Sequence, residues 1–113
     1  MADDCLFCRI VRQEIPAKLI FENDHCVAFR DIDPKAPTHV LIVPREHVRS
    51  LNEATDAAMI GHLSLAAAQI ARSAGVAESG YRTVMNTNRD AGQTVFHVHL
   101  HLLGGRDLAW PPG

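Results

Sequence analysis

The sequence lacks an excess of charge of either sign: 11 basic and 13 acidic residues leave a formal charge of -2 over 113 positions. Without a basic field, nucleic acid is disfavoured as a partner. A long apolar run is missing as well. No stretch approaches the roughly 20 residues of a membrane span, so no membrane partner is expected. Met1-Ala2-Asp3-Asp4 is acidic where a secretion signal would be basic and then apolar. There are no internal repeats and no low-complexity segments. Cysteine is scarce and odd in number, three in all, with Cys5 and Cys8 as a close pair. In a reducing compartment such a pair binds metal or does redox chemistry more often than it forms a structural disulfide. Together these absences predict a soluble, cytoplasmic protein.

What remains is ordinary globular composition, 47% hydrophobic and 21% charged, at a length that fits one domain over residues 1–113. Leu6, Phe7, Ile10 and Val11 suggest a short helix that ends before Pro16. Residues 18–21 and 26–29 read as two strands, joined by turn chemistry at 22–25. Residues 39–43 form a third, nearly all apolar and therefore central, closed by Pro44. Ser50-Leu51-Asn52-Glu53 matches a capping box, so a helical turn can begin there. Ile60, Leu63, Ala67, Ile70 and Ala74 recur at three- and four-residue steps, giving one long helix that stops at Gly75. Met59 and Leu65 lie off its main stripe and hint at a second contact surface. Residues 81–85 and 95–103 complete five strands, with a polar loop over 86–94. The pattern is α+β: a five-stranded antiparallel sheet, one long helix and a short N-terminal helix.

The most telling stretch is His97-Val98-His99-Leu100-His101-Leu102-Leu103. Alternation of period two is the mark of a half-buried strand, which would put three imidazoles on one face, neighbours about 7 Å apart at roughly 3.3 Å per residue. Groups that titrate near neutral pH, concentrated in this way, point to an active site or a metal site. A neutral imidazole is a competent nucleophile toward phosphorus and splits one hard displacement into two easier ones. The preceding loop offers the flexible Gly92, the Gln93 and Asn86 amides, the Thr94 hydroxyl and backbone N–H groups, all neutral donors suited to phosphate oxygens. Two other classes remain open: a nucleotide-binding scaffold with incidental hydrolysis, and a metalloenzyme with His97, His99 and His101 on one metal. The latter is strained, because the outer two would stand about 13 Å apart on a straight strand. Cys5-Leu6-Phe7-Cys8 has the two-residue spacer that lets two thiolates reach one zinc, and lacks the βαβ setting of a redox dithiol. Cys26, within an apolar strand, reads as a small buried side chain. His25 and His62 read as surface or satisfied side chains.

The His-x-His-x-His motif followed by two apolar residues resembles that of the histidine-triad family. The resemblance extends through residues 14–18, 28–32, 36–39, 92–96 and 104–113 to its Hint branch of nucleotide-binding proteins, and covers essentially the whole chain. It implies hydrolysis of purine nucleoside phosphoramidates or acyl-adenylates at the α-phosphorus through a nucleotidyl-histidine, with His99 as nucleophile. His101 and His39 would assist, and His39 would orient the triad from behind. Asn86, Gly92, Gln93, Thr94 and His101 would hold the phosphate. Asp31 would accept from the ribose hydroxyls, with Leu6, Phe7, Ile10, Phe29 and Ile32 walling the base. Plain core packing is the rival reading for Phe7, Phe29 and Ile32. Zinc-bearing bacterial relatives imply a structural zinc on Cys5, Cys8, His47 and His97, and no cofactor for the chemistry. The resemblance also implies a homodimer with one continuous ten-stranded sheet, joined through the fourth strand and the long helix, with Trp110-Pro111-Pro112 reaching toward the partner's site. Asn88 and Arg89 depart from a more glycine-rich loop, and Arg89 would add a cation near the phosphates.

Overall fold

Asn23 shows how local chemistry starts the sheet: its Oδ1 accepts from the backbone N–H of His25 at 2.8 Å and of Cys26 at 2.9 Å. That turn folds β1 (Leu19–Glu22) against β2 (Cys26–Arg30) as an antiparallel pair. The apolar run Thr38–Pro44 becomes β3, every residue buried, and takes the centre of the order β1-β2-β3-β5-β4. The outer pair is β4 (Tyr81–Val84) and β5 (Leu100–Gly104), and all neighbours are antiparallel. The computed structural model describes residues 4–113, so most of the acidic start, Met1, Ala2 and Asp3, lies outside the described residues. Among the described residues, no helix is long and apolar enough to cross a membrane.

Alternation along the strands gives the sheet two apolar faces. Cys26, Ala28, Val40, Ile42, Leu100 and Leu102 face α2 (Ala57–Ala74), which lays Leu63, Ala66, Ala67, Ile70 and Ala71 on them. Asp56 caps that helix and Gly75, at φ 78°, ends it in a left-handed turn. Val27, Phe29, Leu41 and Val43 face the other way, toward Phe7 and Ile10 of α1 (Leu6–Val11). This second face carries the site, because α1 and the loops leave part of it open.

Three expectations change. Strand β5 begins at Leu100, not Val95. Pro44 has no N–H to extend the ladder, and its carbonyl is turned to the His97 ring at 2.9 Å, so residues 95–99 run irregularly. The loop 86–94 contains a helical turn, α3 (Asn88–Ala91), closed by Gly92 at φ 84°. Met59 is buried within the chain, whereas Leu65 stays 71% exposed, so only Leu65 fits an outer contact surface.

Candidate active site

Helix α1, the β2–β3 loop and the segment before β5 enclose a cavity of about 810 Å³. Its apolar walls include Leu6, Phe7, Ile10, Phe29 and Ile32, and Asp31 sits among them. Its polar end holds Asn86, Gly92, Thr94, His99 and His101. The expected base-wall residues are therefore brought together. Phe7 and Phe29 are also core, 3% and 8% exposed and packed edge to face at 5.6 Å, so they are core side chains that also line the cavity. Ile32 is fully exposed at the rim and has no core role. Sequence reasoning missed Lys18, Ile20, Arg30, Leu41 and Val95, which also line the cavity. Leu41 stands in register with His101 across β3 and β5, a pairing that no local pattern announces.

Fixed backbone groups decide which nitrogen of each histidine carries its proton. The His99 Nδ1 lies 2.8 Å from the His97 carbonyl, which can only accept. Nδ1 therefore carries the hydrogen and Nε2 keeps its lone pair. Burial lowers the His99 pKa from the ordinary value, holding the ring neutral, against the pull of the His97 carbonyl and Asp31. The Phe7 ring stands edge to face with it at 5.0 Å and 90°. Behind the cavity, His39 is 5% exposed, and its Nδ1 accepts from the Lys35 N–H at 3.0 Å. A neutral His39 thus carries its proton on Nε2, which donates to His101 Nδ1 at 2.9 Å and leaves a donor N–H on His101 Nε2. Burial first, then the neighbouring His99 and His39, pushes the His101 pKa down to about 4. The site thus offers one unprotonated imidazole nitrogen beside one imidazole donor.

Two of the expected phosphate donors are engaged within the chain. Gln93 is buried, with Nε2 donating to the carbonyls of Arg49 at 2.9 Å and Val95 at 3.2 Å and Oε1 accepting from Asn88 N at 2.8 Å. It braces the loop and does not line the cavity. Gly92 donates its own N–H to Arg89 O at 3.0 Å, so it contributes space and a left-handed turn but not that donor. Arg89 points into solvent beside Asp90 at 3.1 Å and does not line the cavity. The Asn86 amide and the Thr94 hydroxyl line the cavity and bond to no group among the described residues, which leaves both for a ligand.

Next to the cavity, Cys5, Cys8, His47 and His97 converge, with all four ligand atoms within 4.8 Å of one another. Cys5 Sγ lies 3.4 Å from His97 Nδ1, while Cys8 Sγ lies 3.2 Å from His47 Nδ1 and 3.5 Å from His97 Nδ1. The two Nδ1 atoms are 3.2 Å apart. A tetrahedron with bonds of roughly 2.0–2.3 Å has edges of about 3.3–3.8 Å, close to these separations. The His97 Nε2–H donates to Pro44 O, which bares Nδ1 toward the cluster as a metal-binding imidazole requires. These four residues could hold a metal ion. His97 is thus drawn away from His99 and His101, and three histidines on one metal are not formed. His25 and His62 stay outside both sites, stacked on each other at 3.5 Å. Cys26 is fully buried, as expected.

Known proteins resemble this chain in sequence and in fold. Residues 12–108 match the family model described as HIT domain. The purine nucleoside phosphoramidase of Escherichia coli (strain K12) is 47% identical over 110 residues, spanning 96% of this chain and 92% of that protein. A solved HIT family hydrolase from Legionella pneumophila Philadelphia 1 superposes with a TM-score of 0.94 at 47% identity, over 97% of this chain and 100% of that one. A zinc-bound histidine triad family protein from Mycobacterium smegmatis is similar at a TM-score of 0.85 and 31% identity, over 95% of this chain and 78% of that one.

Proposed function

The chain belongs to the HIT domain family, and from that premise we propose that it hydrolyses purine nucleoside phosphoramidates or acyl-adenylates at the α-phosphorus. The observation that carries this reading is the bare Nε2 of His99, set by the His97 carbonyl at the polar end of the cavity. The base lies between Leu6, Phe7, Ile10, Phe29 and Ile32, and the ribose hydroxyls donate to Asp31. Asn86, Thr94 and the His101 Nε2–H hold the phosphoryl oxygens as charge builds on them. His99 Nε2 attacks in line, its bond to phosphorus forming as the bond to the amine nitrogen or acyl oxygen breaks; an amine leaves neutral after taking a proton from solvent, and an acyl group leaves as its carboxylate. Water then cleaves the nucleotidyl-histidine, its oxygen bonding phosphorus as the P–Nε2 bond breaks and its proton passing to solvent, which returns a nucleoside monophosphate such as AMP and the free imidazole. His39 holds His101 in the required tautomer and orientation. The test is release of AMP from an adenosine phosphoramidate, which His99→Ala should abolish.

The metal group on Cys5, Cys8, His47 and His97 we read as a structural zinc site. Four protein ligands leave no open position for chemistry, and the metal would pin α1 and the segment before β5 to the end of β3. The working form is a homodimer joined through β4, which is an edge strand, and through the α2 face that carries Leu65. A cytoplasmic site of action suits three cysteines of which none forms a disulfide.

A further inference from the structure

Asp31 and His39 are joined more closely than a sugar-binding carboxylate and a distant positioning residue need be. The backbone N–H of Asp31 donates to the His39 carbonyl at 3.0 Å, so the two residues face each other at the mouth of β3. Asp31 Oδ1 is fixed by the Asp33 N–H at 2.8 Å. Its other oxygen, Oδ2, lies 3.4 Å from His39 Nε2. That same Nε2 lies 2.9 Å from His101 Nδ1. Because the Lys35 N–H occupies His39 Nδ1, the neutral ring has one proton, on Nε2, hydrogen-bonded to His101 Nδ1 and within electrostatic reach of the Asp31 carboxylate. Of these two neighbours, His101 faces the phosphate end of the cavity. The other, Asp31, is within reach of a ligand: its side chain is 19% exposed, against 5% for His39.

We propose that Asp31 couples recognition of the ribose hydroxyls to the His39–His101 pair, so that a sugar diol raises the rate of phosphoryl transfer as well as tightening binding. The inference rests on the hydrolase reading above and adds a specificity device to it. A hydroxyl that donates to Oδ2 draws negative charge off that oxygen and weakens its hold on the His39 proton. The proton then lies along the shorter path to His101 Nδ1. His101 is oriented more firmly, and its Nε2–H is better aimed at the phosphoryl oxygens. The carboxylate acts on both rings, raising the His39 and His101 pKa values against the larger opposing effect of burial. Asp31 is on this account a binding residue for the sugar and a positioning residue for the transfer.

Two measurements test it. Adenosine phosphoramidate and its 2′,3′-dideoxy counterpart are compared by kcat and KM in the intact protein and in Asp31→Asn. The coupling predicts that loss of the diol lowers kcat on the order of tenfold as well as raising KM, and that Asp31→Asn gives one kcat for both sugars. A diol effect confined to KM, or a kcat difference that persists in Asp31→Asn, would overturn it. The second measurement is ¹⁵N NMR of the imidazoles in the unmodified protein, with AMP and with 2′,3′-dideoxy-AMP at saturation. Displacement of the His39 Nε2 and His101 Nδ1 resonances by AMP beyond that caused by the dideoxy compound supports the relay, and equal displacement refutes it. The NMR comparison needs binding alone. If neither sugar is turned over, the hydrolase reading falls while the relay is still decided.

Discussion

His99 and His101 sit two positions apart in the same motif, yet backbone partners give them opposite roles. The His97 carbonyl makes one an acceptor toward the ligand, and His39 makes the other a donor. The motif marks both residues in the sequence, but the His101 tautomer depends on a contact 62 positions away and could not be read there. Gln93 illustrates the converse. An amide in a glycine-containing loop has the chemistry of a phosphate ligand, and only the fold reveals that all its polar atoms are engaged by backbone. Gln93→Ala should therefore act through stability, lowering it by about 1–3 kcal/mol in denaturant titration, because two carbonyls and one N–H lose their partner. His101 sets a pH dependence. Its folded pKa, about 4, lies below the unfolded value near 6.5, so folding binds fewer protons between those values. Its contribution to stability is complete above pH 6.5, shrinks as pH falls below that, and is gone below about pH 4. Replacement of His101 by Asn should flatten the fall in melting temperature across that window.

At the scale of elements, periodicity located α1, α2 and the central strand, and Gly75 marked the end of α2, whereas its N-cap, Asp56, carried no reading in the sequence. Gly75, at φ 78°, is the clearest stop signal; Gly75→Ala should cost about 1 kcal/mol by thermal or chemical unfolding without altering substrate turnover. The start of β5 was misread because alternation continues through His97 and His99 after the ladder has ended. Pro44 on the facing strand terminates the pairing, and the cysteine pair draws His97 aside. Residue pattern on one strand cannot report where its partner runs out of donors. The turn at Asn88–Ala91 was hidden for a related reason: its closure depends on the Gln93 side chain reaching back to the Asn88 N–H, and Asn88 itself adopts φ 65°. The sheet order was equally silent, since the crossing of β3 to β5 joins segments separated by the whole of α2.

For the molecule as a whole, the Cys5–Cys8–His47–His97 cluster and the cavity share their framework. Cys5 caps α1, the helix that carries Leu6, Phe7 and Ile10 into the cavity, and His97 supplies the carbonyl that orients His99. On the proposed zinc reading, treatment with a chelator should therefore lower the melting temperature by on the order of 10 °C and weaken AMP binding together, both restored by added zinc. Pairing through the β4 edge and Leu65 predicts a dimer mass by light scattering, and Leu65→Glu should shift it toward the monomer. The account turns on one nitrogen of one ring, and intact-protein mass spectrometry after brief exposure to an adenosine phosphoramidate tests it most directly. The prediction is a single added adenylyl group, mapped by fragmentation to His99 and missing from His99→Ala. An adduct on any other residue, or undiminished AMP release by His99→Ala, would contradict it.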